Sequence, residues 1–434
     1  MRSFAGTMKI LLLNQDWFAA EMRSLGHEVI SAGIAAHLDV VLPRPVVHID
    51  SVIESLPNGF IPDKILWLDN SAPLLFTGFD ETKIPVAMYS VDTHHHFDLH
   101  SYIAHLFDHV FIAQRDYFPA FANSQTPISW LPLWASRVVE PSERKDYQAT
   151  FVGNMNARLN PDRVNFFEQL QKLIPLHITQ GAWWEIFPHS EIVVNQTVKR
   201  DLNFRVFEAM VTGSLLVTEA SSNGLSELFN DHEHLVFYEK GDVNDAANKI
   251  KALLADIPRA RTIAANGRKR ILERHLPIHR AQQVLEVLTK LEKRPRSKKS
   301  RYAAMINFGA VSTMVEHTDT LTGTHAIIAS LSAAQDALLE ERDLGELESA
   351  HLVINAVRYD KKMRSDLGQK LINTYSDHYP DNKLFLFAKI RGMLNSGAIQ
   401  EAKQFAATFS DEPPESVFSA AESAICTLMD VYQE

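Results

Sequence analysis

The sequence predicts an α/β chain made of two consecutive parallel-sheet units followed by an all-helical tail. Up to residue 293, short continuous apolar runs alternate with amphipathic segments, the pattern of strands buried on both faces and covered by helices. The alternation breaks once, at the polar stretch ASRVVEPSERKDYQ (Ala135 to Gln148), and then restarts. From Tyr302 onward the strand signal disappears. With 434 residues, 46% hydrophobic and 22% charged, the chain has the size of two or three domains and the composition of an ordinary globular protein.

The first unit opens as a βαβ. MKILLLN (Met8 to Asn14) reads as a buried strand, FAAEMRSLG (Phe18 to Gly26) as a helix stopped by glycine, and HEVISAG (His27 to Gly33) as a second strand. Further strands are expected at KILWLD (Lys64 to Asp69), IPVAMYS (Ile84 to Ser90) and HVFIA (His109 to Ala113), with a helix between the last two. After the polar linker, ATFVGN (Ala149 to Asn154) starts the second unit. A helix over Arg163 to Leu173, strands at PLHITQG and EIVVNQ, a short helix in DLNFRVFEAMVTG, the apolar run SLLVTEA and a strand HLVFYEKGD (His234 to Asp242) follow. Helices over Val243 to Leu254, Arg259 to Arg274 and Pro277 to Lys293 complete it. Two such sheets in series enclose a cleft, and ligands of these sheets bind outside the carboxyl ends of the strands.

The segment RPRSKKSR (Arg294 to Arg301) reads as a solvated basic linker or as a patch for an acidic partner or membrane surface. Beyond it, AAQDALLEE, ELESAHLVINAVR, DLGQKLINTY, NKLFLFAKIRGML and IQEAKQFAATF are amphipathic helix patterns. The last two flank NSG as in a helical hairpin. That pair resembles a tetratricopeptide-type unit, although three clean copies of a period are missing.

From Tyr302 the tail holds 10 Lys and Arg against 19 Asp and Glu, so it carries nearly the whole net charge of −10. Neither part has the clustered positive charge that coats nucleic acid. The lone cysteine, Cys426, is expected as a buried helix residue and excludes an internal disulfide. No apolar run reaches the roughly 18 residues of a membrane span, and there is no signal-peptide pattern; these features place the chain in the cytoplasm.

GxGxxG, GxxxxGK[ST], GxSxG and HExxH do not occur in the sequence. Position must therefore identify the chemistry. In NQTVKRDLNFRVFEAMVTG (Asn195 to Gly213), Asp201 or Asn203 caps a helix whose stripe is Phe204, Phe207 and Val211, and Gly213 ends it. Glu208 borders that stripe. A carboxylate there costs free energy unless it is paired or hydrogen-bonded: either Arg205 or a nearby lysine forms a salt bridge, or two neighbouring hydroxyls such as a ribose diol satisfy it. Lys199, Arg200 and Asn203 precede the helix N-terminus, a combination that suits a diphosphate. The turn FVGN, followed by Arg158, is a second such surface or an ordinary strand-to-loop turn.

In the first unit, SVDTHHHFDLH (Ser90 to His100) lies directly after a strand. Asp92, His94, His95 and His96 are candidates for a general base or for ligands of an acceptor hydroxyl. His96 with His100, and His105 with His109, have the i, i+4 spacing of a helical metal pair, but no carboxylate cluster or cysteine reinforces it. Helix capping and packing are the alternative. In GAWWEIF (Gly181 to Phe187), a tryptophan either stacks on a base or sugar or belongs to the core.

The order FVGN, a helix with a preceding arginine, DLNFRVFEAMVTGSLLVTE, LSELF and HRAQQVL resembles the nucleotide-sugar domain of GT-B glycosyltransferases, and is most similar to the spore-maturation, CgeB-like group. FDHVFIAQRDYFPAF, WLPLWAS and the loop after IPVAMYSVD are similar to the first domain of that family. The resemblance covers residues 8 to 290. It implies two Rossmann-like domains facing a cleft: an acceptor-side domain over 1–140 and a nucleotide-sugar domain over 141–293, whose last helix returns to the first. A basic linker over 294–301 and an acidic helical domain over 302–434 follow. It implies that Glu208 holds the donor ribose, and that Gly153, Asn154, Arg158, Lys199, Arg200, Asn203 and Arg205 lie near the donor. It implies a nucleotide-sugar donor without a metal or other cofactor and a glycan or protein acceptor; the helical tail lies outside the resemblance, and recruitment of that acceptor is a separate reading of the tail. Many retaining members carry a glutamate eight residues before the ribose glutamate; here that position is Arg200. Retention is therefore not inferred, and an inverting reaction needs a base from the first domain, for which Asp92, His94 and His95 are the candidates. A sugar-nucleotide epimerase, a non-catalytic binder of the same fold, and an adaptor centred on the helical tail are the alternatives.

Overall fold

The computed structural model describes residues 6–42, 47–69, 76–79, 81–295, 300, 303 and 344–431. The first domain contains β1 (Lys9–Leu13), α1 (Ala19–Ser24), β2 (Glu28–Gly33), β3 (Val40–Val41), β4 (Val47–His48), α2 (Ile49–Glu54), β5 (Lys64–Leu68), β6 (Phe76–Thr77), β7 (Val86–Ser90), α3 (Thr93–Ile103), β8 (His109–Ile112) and β9 (Ile128–Trp130). Seven strands pair in the order β3-β2-β1-β5-β7-β8-β9, every ladder parallel; β4 and β6 form a separate parallel pair. Strand β1 shows why the sheet is covered twice. Ile10 and Leu12 enter one apolar core with α1, whereas Leu11 and Leu13 enter another with α2.

The second domain contains β10 (Tyr147–Val152), α4 (Pro161–Leu170), β11 (His177–Thr179), α5 (Trp183–Ile186), β12 (Ser190–Asn195), α6 (Phe204–Val211), β13 (Leu215–Glu219), α7 (Leu225–Leu228), β14 (Val236–Tyr238), α8 (Val243–Ala255), α9 (Ile257–Arg274) and α10 (Pro277–Leu288). Its five strands run β11-β10-β12-β13-β14, again all parallel. The order reverses direction between β10 and β12, and such switch points are where ligands of these sheets sit. The expected strand over His234 to Asp242 shortens to three residues. Gly241 adopts φ +74°, and Asp242 turns to cap α8, accepting from the N–H groups of Asn244 and Asp245 at 2.9 Å each.

The domains share a core. Ala281, Val284, Leu285 and Leu288 of α10 pack in one cluster with Ile10, Met22, Leu133, Trp134, Phe207 and Met210. Arg280, only 1% exposed, donates to the carbonyls of Pro132 and Leu133 at 2.6 to 3.2 Å, tying α10 to the interdomain connection. Two Rossmann-like sheets facing a cleft, bridged by a last helix that returns to the first domain, make the GT-B arrangement, and a helical region follows.

That region contains helices Glu346–Met363, Leu367–His378, Lys383–Asn395, Ile399–Ala406 and Pro414–Val431. The two helices around NSG meet at Gly397, which has φ +79°. The AAQDALLEE pattern and most of the basic segment 294–301 lie outside the described residues. Leu99 of α3 packs both against the first-domain core and against the tail cluster around Tyr375 and Phe385, so the tail is seated on the helix that carries the histidine run. Cys426 is half-buried rather than fully buried, because it lies on the helix face that also carries Glu422, 3.4 Å from its Sγ. Among the described residues no helix is long and apolar enough to cross a membrane.

Candidate active site

Helix α6 buries Val206, Phe207 and Met210 beneath it, each fully buried side chain contributing about 1.5–3 kcal/mol. It ends at Gly213, whose φ of +72° is combined with a neighbour, Pro141 Cγ, that an added Cβ would meet at 2.8 Å. Register then turns Glu208 away from the sheet. Its carboxylate is half-buried and faces a cavity of about 350 Å³ lined by Trp17, Phe18 and Glu21 of the first domain, Trp134 and Ser136 of the connection, and Phe204 and Pro277. Among the described residues it has no hydrogen bond and no ion pair within 4 Å. Burial pushes its pKa up to about 7, against the weaker pull of Arg205.

Arg205 does not form the alternative salt bridge because its guanidinium is engaged elsewhere. It donates to the Val152 carbonyl at 2.9 Å and to Asn195 Oδ1 at 2.7 Å, and lies 4.5 Å from the Phe151 ring centre. Burial, then the charge of Arg163, lowers its pKa to about 10. Gly153 is needed for this seat: an added Cβ would stand 2.5 Å from Arg205 Nη2. Asn195 in turn donates to Thr218 Oγ1 at 3.0 Å, and its carbonyl accepts from the Tyr238 hydroxyl at 2.7 Å.

The remaining expected donor residues spread over several surfaces. Lys199 and Arg200 both have positive φ, 49° and 63°. They line a second cavity of about 600 Å³ with Arg163, Gln196, Glu219 and Lys240. Arg163, missed from the sequence, is buried and donates to Gln196 Oε1 at 3.1 Å. Asp201 accepts from the Val198 N–H at 2.7 Å rather than capping α6, and burial raises its pKa to about 6. Asn203 occupies the N-cap position without a side-chain cap bond; its Oδ1 is buried and unpartnered. Asn154 Oδ1 accepts from the Asn156 N–H at 2.8 Å, and Arg158 is exposed.

On the first domain, Asp92, His94 and His95 sit at the start of α3, beyond the carboxyl end of β7. The charge of Lys199 acts on both His94 and His95, so this loop faces the second-domain loop across the cleft. His94 is buried with an unpartnered Nδ1. Burial above all, and then His95 and Lys199, lowers its pKa to about 3. The rings of His94 and His95 are 4.1 Å apart. Of the two i, i+4 histidine pairs, His96 and His100 keep their rings 5.5 Å apart, whereas His105 and His109 fall on different elements. His100 turns inward, its Nδ1 2.8 Å from Ser90 Oγ, and α3 is kinked at His96, which has non-helical φ/ψ. His109 begins β8 instead of continuing a helix from His105. Among the described residues no group of three or more His, Cys, Asp or Glu is arranged to hold a metal ion.

The cleft is closed on one side by reciprocal bonds that sequence separation hid. Gln114 accepts from the Leu202 N–H at 2.8 Å and donates to its carbonyl at 3.2 Å. Asp116 and Asn223 exchange two bonds of 3.0 Å, and Arg115 pairs with Glu227. The loop of Lys199 and Arg200 is also held from within its own domain, since Asn223 Nδ2 donates to the Arg200 carbonyl at 2.8 Å.

Solved structures of similar architecture include a glycosyltransferase from Rickettsia africae, 11% identical, covering 66% of this chain and 99% of that one with a TM-score of 0.47. Sucrose-phosphate synthase from Thermosynechococcus elongatus is 12% identical over 65% and 99%, TM-score 0.47. Anabaena HepE in complex with UDP-glucose is 13% identical over 65% and 100%, also with a TM-score of 0.47. No curated protein sequence matches the chain. Residues 136–286, which span the second domain from the connection into α10, match the family described as glycosyl transferase-like.

Proposed function

We propose that the protein transfers a sugar from a nucleotide-sugar donor to an acceptor hydroxyl, within the CgeB-like group that its motif order resembles. The observation that carries this reading is Glu208. It is a half-buried carboxylate with no partner among the described residues, facing a cavity between the domains. A ribose diol supplies two donors to such a group. To Lys199 and Arg200, which line the second cavity just ahead of α6, the reading assigns the charge that develops on the departing diphosphate, and it calls on no metal. The acceptor enters from the Asp92–His95 loop, and cleft closure excludes water from the donor. The tail, seated on α3, is the element that recruits a glycan or protein acceptor.

A thermal-shift screen against UDP, GDP, dTDP, CMP and their sugars tests the donor site, because a ligand that binds the folded state alone raises the melting temperature. At least one nucleotide stabilises the wild type, and Glu208→Ala abolishes most of the shift. Stabilisation by none of them sinks the assignment.

A further inference from the structure

Within the transfer reaction proposed above, we infer that Asp92 takes the proton of the acceptor and that Asp69, a residue without an assigned role, is the positioning residue that holds it there. The acceptor oxygen gives up its proton to the Asp92 carboxylate and forms a bond to the anomeric carbon. The bond from that carbon to the diphosphate oxygen breaks, and its electron pair leaves with the diphosphate.

The loop offers three candidate bases, and their surroundings separate them. His94 is buried, and with a pKa near 3 it is neutral yet a poor proton acceptor at neutral pH. His95 is displaced in the same direction by burial and by Lys199. Asp92 moves the opposite way: burial raises it first, the Asp69 carboxylate raises it further, and His95 and His96 oppose both. It is also the one of the three whose backbone N–H is held by the buried Asp69 carboxylate, and its side chain remains half-buried rather than sealed off.

Geometry shows how that is done. Asp69 stands directly after β5 and is fully buried. Its Oδ2 accepts from the N–H groups of Val91 and Asp92 at 3.1 and 3.0 Å. The Asp92 carbonyl accepts from the N–H groups of His95 and His96 at 2.9 and 3.2 Å, so the Asp92 backbone is gripped from both sides. Beneath lies His100, its Nδ1 4.0 Å from Asp69 Oδ2. Burial lowers its pKa to about 3, so His100 adds no positive charge to the site. Tyr89 of β7 is a neutral phenol whose hydroxyl donates to the Leu131 carbonyl at 2.9 Å. Among the charged groups that act on Asp92 are Asp69 from β5 and the histidines His95 and His96 of α3.

Carboxyl-carbon NMR on protein labelled at aspartate, with Asp92→Asn to assign the signal, reads this directly. Asp92 in the wild type titrates above the ordinary value of 3.8, and Asp69→Asn, which keeps the shape and removes the charge, moves the midpoint to lower pH. An Asp69 whose charge did not reach the Asp92 carboxyl would leave the midpoint where it was. A wild-type midpoint at or below the ordinary value, or one unmoved in the variant, overturns the role of Asp69; the wild-type measurement decides even where Asp69→Asn does not fold. With UDP-glucose as probe and water as acceptor, Asp92→Asn lowers UDP release by about 10² or more, while the stabilisation that depends on Glu208 persists. Release within twofold of wild type overturns the role of Asp92. Absence of nucleotide stabilisation in the wild type is a separate failure, that of the donor site, on which the titration does not depend.

Discussion

Glu208 binds its proton more tightly in the folded chain than in the unfolded one, and this fixes the sign of two pH effects. Its folded pKa, about 7 against 4.5 for the unperturbed group, means that the folded state holds more protons between those values. The contribution of Glu208 is most favourable below about pH 4.5 and is lost as pH rises through about 7. Glu208→Gln removes that slope. Urea midpoints at pH 5 and pH 8 are expected to show the variant gaining on the wild type at the higher pH, by about 1–2 kcal/mol after allowance for solvent screening. Nucleotide binding has the opposite trend, because a diol donates to the ionised carboxylate: affinity measured by calorimetry rises from pH 6 to pH 8 in the wild type and stays flat in the variant. Periodicity placed Glu208 beside the stripe of Phe204 and Val211, but its lack of a partner was not legible. Local spacing offered Arg205 as a salt bridge, and only the fold shows Arg205 committed to Val152 and Asn195.

Helices and strands place these side chains through a few tight approaches. Gly153 →Ala drives a methyl into Arg205 Nη2 and the Phe151 ring, an overpacking worth about 1–3 kcal/mol. It is expected to lower the melting temperature and, by displacing the guanidinium that grips the start of α6, to weaken nucleotide binding as well. Gly213→Ala, at positive φ and against Pro141, costs a similar amount of roughly 1–3 kcal/mol. It leaves nucleotide affinity unchanged, because it acts at the far end of the helix. The two variants measured side by side separate loss of the α6 seat from loss of stability alone. Strands such as KILLL and VAMYS were legible because both faces are apolar. The histidine run was not: four histidines in seven residues do not reveal that His100 turns into the core past the kink at His96 while His94 and His95 stay at the loop. Asp69 was hidden as well, since a carboxylate that ends a strand looks like an ordinary strand-to-loop polar residue until Val91 and Asp92 are seen donating to it.

At the scale of the molecule, two connections of different character hold the domains together. Behind the cleft, α10 and the Trp130–Trp134 connection form a shared apolar core locked by Arg280. Across its rim the contacts are polar and link loops far apart in sequence, which no pattern along the chain could reveal. Packed apolar surface resists separation, whereas a rim of hydrogen bonds exchanges readily with water; on the proposed reading the core is the pivot and the rim the part that opens. Gln114→Ala tests this division. It leaves the N–H and carbonyl of Leu202 without their partner, which costs about 2–4 kcal/mol if the cleft stays shut. The chain avoids that cost by opening, since water then satisfies both groups. The expected result is a larger radius of gyration by solution X-ray scattering with a melting temperature within a few degrees of wild type. Saturating nucleotide restores the compact value, because the donor bridges the two walls. An unchanged radius with the full loss of stability would show instead that Gln114 holds one rigid body and that the rim does not move.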